Sequence, residues 1–338
     1  MRVGKTCPRS VLGVQLPGRT PIADRLNNEV CGAVVTHHAG CGMGVSHESP
    51  ADIGSGTDPS LHPFLVTRAL GLPVCRLGLA SYGQTAITPN DIHAALGRGI
   101  NFLNWAGLDE WPPDGDPFIP AVASLGTARQ SVVVCAQLGA RSATDAAEQL
   151  RSVLATLKTD YIDVLTLYYV EKPEEWEEIT APGGSLPYLQ DAKRDGTVRR
   201  IGVTSHQRTL AARMAQSGRL DLVMVRYNAA HRGAEREVFP VTQPLGLPVI
   251  AYTALRWGAL LRPTPDDPPG FSVPRAPKWY RFVLQNPAVA VTLAAPRTRV
   301  ELEEDLRVLD TAGPVGDEEY TVLAEHGERV RRHAGHFQ

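Results

Sequence analysis

Thr298 and Glu301 stand three residues apart in Arg297-Thr298-Arg299-Val300-Glu301, the spacing of a capping box. A hydroxyl and a carboxylate so placed begin a helix, whose first turn offers free N–H groups and the positive end of its dipole to an anion. With Arg297 and Arg299 beside it, this stretch has the chemistry of a phosphate site. The plainer alternative is a capped surface helix flanked by solvated arginines, and only the surrounding fold separates the two. Cys31, His37, His38 and Cys41 collect zinc-ligating residue types within CGAVVTHHAGC, but their spacing fits no zinc motif, and no metal is expected. Arg226, His231, Arg232 and Glu235, in RYNAAHRGAE, have the make-up of an ion-pair cluster that locks a loop. Finally, GINFLNWAGLDEW passes from an apolar run into a loop that carries Asn104 and Asp109.

The elements that must position these groups follow from hydrophobic periodicity. Short apolar runs alternate with segments of helical period: VCRLGLA before TPNDIHAALGRG, INFLN before PFIPAVASLGTAR, SVVVCAQL before ATDAAEQLRSVLATLK. The alternation continues through YIDVLTLYY, VRRIGVTS, LDLVMVRYN, LPVIAYTA and AVAVTLAA, each followed by a helical or polar segment. Continuous apolar strands are buried on both faces, which means a parallel sheet covered by helices. A doubly wound dinucleotide fold would carry G-x-G-x-x-G after its first strand, and GLASYGQTAIT lacks it. Eight strand–helix units between residues 64 and 338 match the roughly 250 residues of a (β/α)8 TIM barrel, the α/β architecture expected here. Residues 1–63, rich in Gly, Pro, Ser, Thr and His and without sustained period, read as a loosely ordered extension, and Met43 is an alternative start.

Composition narrows the partners. A formal charge of −2 and scattered basic residues supply no field for nucleic acid, so no nucleic-acid partner is expected. No run of about 18 apolar residues exists, so no membrane partner is expected either. Five dispersed cysteines without a CxxC argue against a disulfide framework and fit a cytoplasmic protein. A small-molecule substrate is the remaining class, and the oligomeric state is not legible.

From about Ala69 to Leu309 the chain resembles the aldo-keto reductases. TDYIDVLTLYY, DGTVRRIGVTS, RYNAAHRGAEREVFP, AYTALRWGALL and APRTRVELEEDL are similar to that family's fourth to eighth strands and following loops, in order and spacing. The resemblance implies NADP lying across the carboxyl ends of the strands. It assigns Tyr252 to stacking on the nicotinamide, Thr204 to its carboxamide, and Thr253, Leu255 and Gly258 to the loop beside the pyrophosphate. Arg297, Thr298 and Glu301 fall in the last phosphate loop. Two positions depart from the family: Ser205 replaces an asparagine or glycine, and Met224 replaces the glutamine that anchors the carboxamide.

The family's proton-transfer set departs more strongly. Its aspartate, tyrosine, lysine and histidine positions are Asn104, Asp109, Gln137 and Tyr168. An amide does not pair with a lysine, and an exposed carboxylate is ionised near neutrality, so neither Asn104 nor Asp109 performs the family's step. General acid catalysis contributes about 10²–10⁴ in rate, so a reductase needs a substitute. Tyr168, at the end of the fourth strand, is the first candidate, and His206, just after the fifth, the second. Two functions follow: an NADP-dependent oxidoreductase with a rearranged proton donor, or a catalytically silent barrel kept as a cofactor- or partner-binding module. The Pro-rich segment RPTPDDPPGFSVPRAPKW is read as a lid over the cofactor.

Overall fold

Apolar runs that alternate with helices leave the strands nowhere to go but a covered parallel sheet, and the computed structural model shows that sheet closed on itself. It describes residues 60–81, 83, 85–107, 115–311, 313–333 and 335. The barrel strands are β3 (Leu77–Ala80), β4 (Phe102–Trp105), β5 (Val133–Leu138), β6 (Val164–Leu167), β7 (Ile201–Ser205), β8 (Leu222–Arg226), β9 (Val249–Tyr252) and β10 (Val289–Ala294). Each pairs in parallel with the next, and β10 returns to β3. Before them lies a short antiparallel pair, β1 (Val66–Thr67) and β2 (Val74–Cys75), which the periodicity does not announce.

Period-two alternation sends every second side chain into the lumen. There Phe102, Val133, Cys135, Val164, Leu222 and Ile250 form an apolar plug, joined by Leu70 and Val74 from the leading hairpin. Arg76 fastens that hairpin: its guanidinium donates to the carbonyls of Phe64, Leu284 and Val289. Burial pulls its pKa down to about 10. The plug fills the lower lumen and leaves the carboxyl ends of the strands open above it.

The outer layer comprises α1 (Pro89–Gly97), α2 (Phe118–Ala123), α3 (Ala143–Leu157), α4 (Pro173–Thr180), α5 (Ser185–Arg194), α6 (Arg208–Ala215), α7 (Ala234–Glu237), α8 (Phe239–Thr242), α9 (Ala276–Leu284), α10 (Arg299–Leu306) and α11 (Asp317–His333). Caps start the main ones: Thr88 forms a reciprocal box with Asp91 on α1, and Ser142 caps α3 through Asp145. EREVFPVTQ forms two four-residue helices rather than one, with Pro240 in the first turn of the second. Two helices escape the hydrophobic pattern. In α4 only Trp176 and Ile179 are buried, and α11 is strongly charged. No helix among the described residues is long and apolar enough to cross a membrane.

Candidate active site

At the carboxyl ends of the strands lies a cavity of about 670 Å³. Its floor is made by the uppermost inward side chains of the barrel: Ala80, Asn104, Gln137, Thr204, Met224 and Tyr252. Asn104, Thr204 and Met224 are 4%, 2% and 1% exposed. Three polar atoms of this floor are buried without a hydrogen-bond partner: Asn104 Oδ1, Gln137 Oε1 and Thr204 Oγ1. Gln137 Nε2 reaches through the lumen to Met224 Sδ at 3.8 Å, although β6 and β7 separate their strands. The floor therefore holds neutral amides where a lysine–aspartate pair would be charged.

Tyr168, just past β6, lines the cavity. Its backbone is tightly held: its N–H donates to the Leu138 carbonyl at 2.9 Å, and Arg141 Nη2 donates to the carbonyls of Tyr168 and Tyr169 at 3.0 Å each. Tyr169, also on the cavity wall, takes a φ of 40°, a left-handed conformation costly for a side chain of its size. Its ring stacks on Tyr168 at 3.9 Å and lies 4.3 Å from His206. His206 thus sits behind Tyr169 and is not among the cavity-lining residues. Its Nδ1 lies 3.2 Å from Glu171 Oε1, which also accepts its backbone N–H at 2.8 Å. Burial lowers the His206 pKa, with Glu171 opposing, so the ring is mostly neutral at pH 7.

The loop after β9 carries the expected cofactor positions. Tyr252, Thr253, Leu255 and Gly258 all line the cavity. Tyr252 is kept neutral, its pKa raised by burial, and its hydroxyl points to the Ser205 carbonyl at 3.4 Å. Thr253, Arg256 and Trp257 have φ of 57°, 49° and 51°, and Gly258 follows at 79°. A β-branched residue in that region is strained, so something must hold it. Asn228 does: its Nδ2 donates to the Thr253 carbonyl at 2.8 Å while its Oδ1 accepts from Ala230 N at 2.9 Å. Asn228 belongs to the polar run RYNAAHRGAE, and nothing local in the sequence links it to a residue 25 positions away.

Side-chain contacts cross-link the polar run around it. Arg232 pairs with Glu235 at 2.8 Å, and Glu235 accepts from Tyr227 Oη at 2.7 Å. His231 meets Arg256, whose Nη1 donates to its Nδ1 at 2.8 Å.

At the far end, Thr298 caps α10 by accepting from Glu301 N at 3.2 Å. The reciprocal half of the box is displaced by one residue: Glu301 Oε2 accepts from Arg297 N at 2.7 Å, not from Thr298 N. Arg297 and Glu301 line the cavity, whereas Thr298 acts through its cap and does not. The same wall holds Glu303, Glu304 and Asp305. Arg275 and Arg307 pair with Glu304, and Arg299 pairs with Glu303 at 2.9 Å. Burial raises the Asp305 carboxyl to about 7, with the Tyr280 hydrogen bond pulling the other way. The Pro-rich segment reaches the cavity at Arg262 and Arg275, and its middle is tied to α11. There Asp267 accepts from Arg329 at 2.7 Å and contacts His326 at 3.1 Å. Asp109 and the Cys31–Cys41 cluster lie outside the described residues.

An eight-stranded barrel with an elongated cavity over its carboxyl ends, walled by the last two strand–helix loops, defines a small-ligand site of the kind such barrels use for phosphorylated ligands. Residues 77–279 match the model of the Aldo/keto reductase family, and the chain belongs to that family. It is 27% identical over 113 residues to an NADH-specific methylglyoxal reductase of Escherichia coli (strain K12), covering 33% of this chain and 34% of that one. Over 126 residues it is 26% identical to a D-threo-aldose 1-dehydrogenase of a Pseudomonas species, covering 36% and 38%. These matches span about a third of each relative's length. Among solved structures, the holo form of an aldo-keto reductase from Bacillus halodurans superposes with a TM-score of 0.62 at 19% identity, covering 77% of this chain and 92% of the other. An aldo/keto reductase of Klebsiella pneumoniae in complex with NADP and acetate gives 0.61 at 20%, covering 78% and 95%. At these identities the superpositions speak for the shared barrel.

Proposed function

We propose that the protein is a nicotinamide-dinucleotide-dependent oxidoreductase of the aldo-keto reductase type, acting on a small carbonyl or alcohol with Tyr168 as proton donor. One observation carries this reading: a single cavity runs from unpaired polar atoms on the barrel floor, past Tyr252, to Arg297 at the head of α10. A polar ligand would satisfy those buried atoms, and the flat Tyr252 ring offers a stacking surface for an aromatic one. Thr204 and Tyr252 would hold the nicotinamide, and Thr253, Leu255 and Gly258 the pyrophosphate. Arg297, beside the helix start that Thr298 and Glu301 set up, would meet a phosphate. When bound, the nicotinamide supplies or accepts the hydride. The protein's own part is to orient the substrate and to hold a phenolic proton at Tyr168 Oη, while Tyr169 and the neutral His206 pack behind that ring.

The dinucleotide preference turns on one charge balance. An exposed guanidinium at Arg297 favours the 2′-phosphate of NADP, and the carboxylates of Glu303 and Glu304 oppose it. Both carboxylates already have arginine partners, so we place the preference with NADP, the opposite of what the name of the Escherichia coli relative states for that protein. Cofactor-fluorescence titration tests this: NADPH should bind more tightly than NADH, and Arg297→Ala should remove the difference. Failure of both nucleotides to bind would overturn the oxidoreductase reading. The replaced positions Asn104 and Gln137 favour the second reading, a silent barrel that retains only a binding role; dinucleotide binding without turnover of any carbonyl or alcohol would support it.

A further inference from the structure

Gln137 is poorly satisfied on the cavity floor. Its Oε1 is buried with no partner, and its Nε2 has only the Met224 thioether, a weak acceptor, at 3.8 Å. The contact crosses the lumen from β5 to β8, which sets the amide over the mouth of the apolar plug. Beneath it lie Cys135, Val164, Leu222 and Ile250, none of which supplies a side-chain partner for a carboxamide. A partner for the amide must therefore come from the cavity side. Two further orphaned oxygens share the floor, Asn104 Oδ1 and Thr204 Oγ1, and Thr204 is in register with Met224 on the neighbouring strand. Buried polar groups left unpaired are destabilising, so this constellation suits a neutral ligand that both donates and accepts.

We propose that Gln137, reaching across the barrel from β5 to Met224, is the positioning residue that pairs with the carboxamide of the bound nicotinamide. A primary carboxamide is self-complementary to a glutamine amide: its N–H donates to Oε1 while its carbonyl accepts from Nε2. Thr204 Oγ1, unpartnered and in register with Met224, takes the second N–H. The assignment gives the amide at Gln137 a purpose that is not proton transfer, and it lets Met224 act as the apolar rest against which the amide lies. It depends on the dinucleotide reading above, and the test separates the two.

The experiment compares two ligands on wild type and on Gln137→Leu. ADP-ribose, with or without the 2′-phosphate, carries everything except the nicotinamide, so its dissociation constant should stay within about twofold in the variant. The intact dinucleotide should bind about tenfold more weakly to Gln137→Leu, the scale of one buried amide pair. An analogue with an acetyl group in place of the carboxamide lacks the N–H donors. Wild type should discriminate against it, and Gln137→Leu should not. Restoring an amide from the other strand, in Gln137→Leu/Met224→Gln, should recover tighter binding. Equal loss of ADP-ribose and dinucleotide affinity in Gln137→Leu would overturn the proposal in favour of a structural role, and an unchanged dinucleotide affinity would overturn it in favour of a water-filled floor. If wild type binds neither ADP-ribose nor dinucleotide, the dinucleotide reading itself falls, and this proposal with it.

Discussion

Tyr168 and His206 are neighbours of one aromatic stack, yet they face the cavity differently. Tyr168 is on the cavity wall, whereas His206 lies on the far side of Tyr169, hydrogen-bonded to Glu171 and depressed in pKa by burial. On a carbonyl substrate found by screening, Tyr168→Phe should lower kcat by about 10²-fold or more with little change in KM, because a proton donor acts on the transition state. His206→Ala should have a smaller effect, exerted through the packing of Tyr169. Steady-state kinetics of the two variants decide this; the reverse ranking would make the histidine the acid. The floor has the neutral amides Asn104 and Gln137 where the family's aspartate and lysine would stand, so ordinary aldehydes should be slow substrates.

The loops after β8 and β9 act as one element, because a strained backbone persists only where its surroundings over-determine it. Asn228 holds Thr253, and Arg256, itself in the left-handed region, is braced by His231 and by the Gly335 carbonyl. Burial, then the neighbouring Arg256, brings the His231 pKa down to about 3. A histidine in the unfolded chain takes up its proton near 6.5, while the native one refuses it until about pH 3. Native stability from this group is therefore full above about pH 6.5 and declines as the pH falls from there toward 3. Urea denaturation at pH 7.5, 5.5 and 4.5 should show a steeper acid loss for wild type than for His231→Gln. Parallel profiles would show that His231 titrates normally in the fold.

At the scale of the molecule, α11 ties together parts that are distant in the chain. Asp267 and Asp266 of the Pro-rich segment bond to Arg329, His326 and Arg332 of that helix, and Gly327 lies against the loop after β8. A Cβ at Gly327 would stand 2.4 Å from the Ala229 carbonyl oxygen, a backbone atom that cannot swing aside. Gly327→Ala should therefore cost about 1–3 kcal/mol in denaturant unfolding, the usual scale of overpacking. Because the Ala229 segment adjoins Asn228, the variant should also weaken dinucleotide binding. An unchanged unfolding midpoint would mean that α11 shifts freely, and that the loop is held without it.

The barrel was legible in the chain because its strands are continuous apolar runs and the alternation of strand and helix repeats eight times, a pattern few folds satisfy. The cap at Thr298 was legible for a similar reason, since capping is a matter of residues three apart. What the chain concealed depends on contacts between distant positions. Nothing local shows that Gln137 meets Met224, that Tyr169 screens His206 from the cavity, or that Asn228 holds Thr253. Nor did the charged run of α11 reveal a helix that locks the Pro-rich segment, since its apolar face is narrow and its partners are carboxylates from residues 266 and 267. Periodicity records which face of an element is buried; only the closing of the barrel, which brings β5 within a side chain's reach of β8, decides what that face touches.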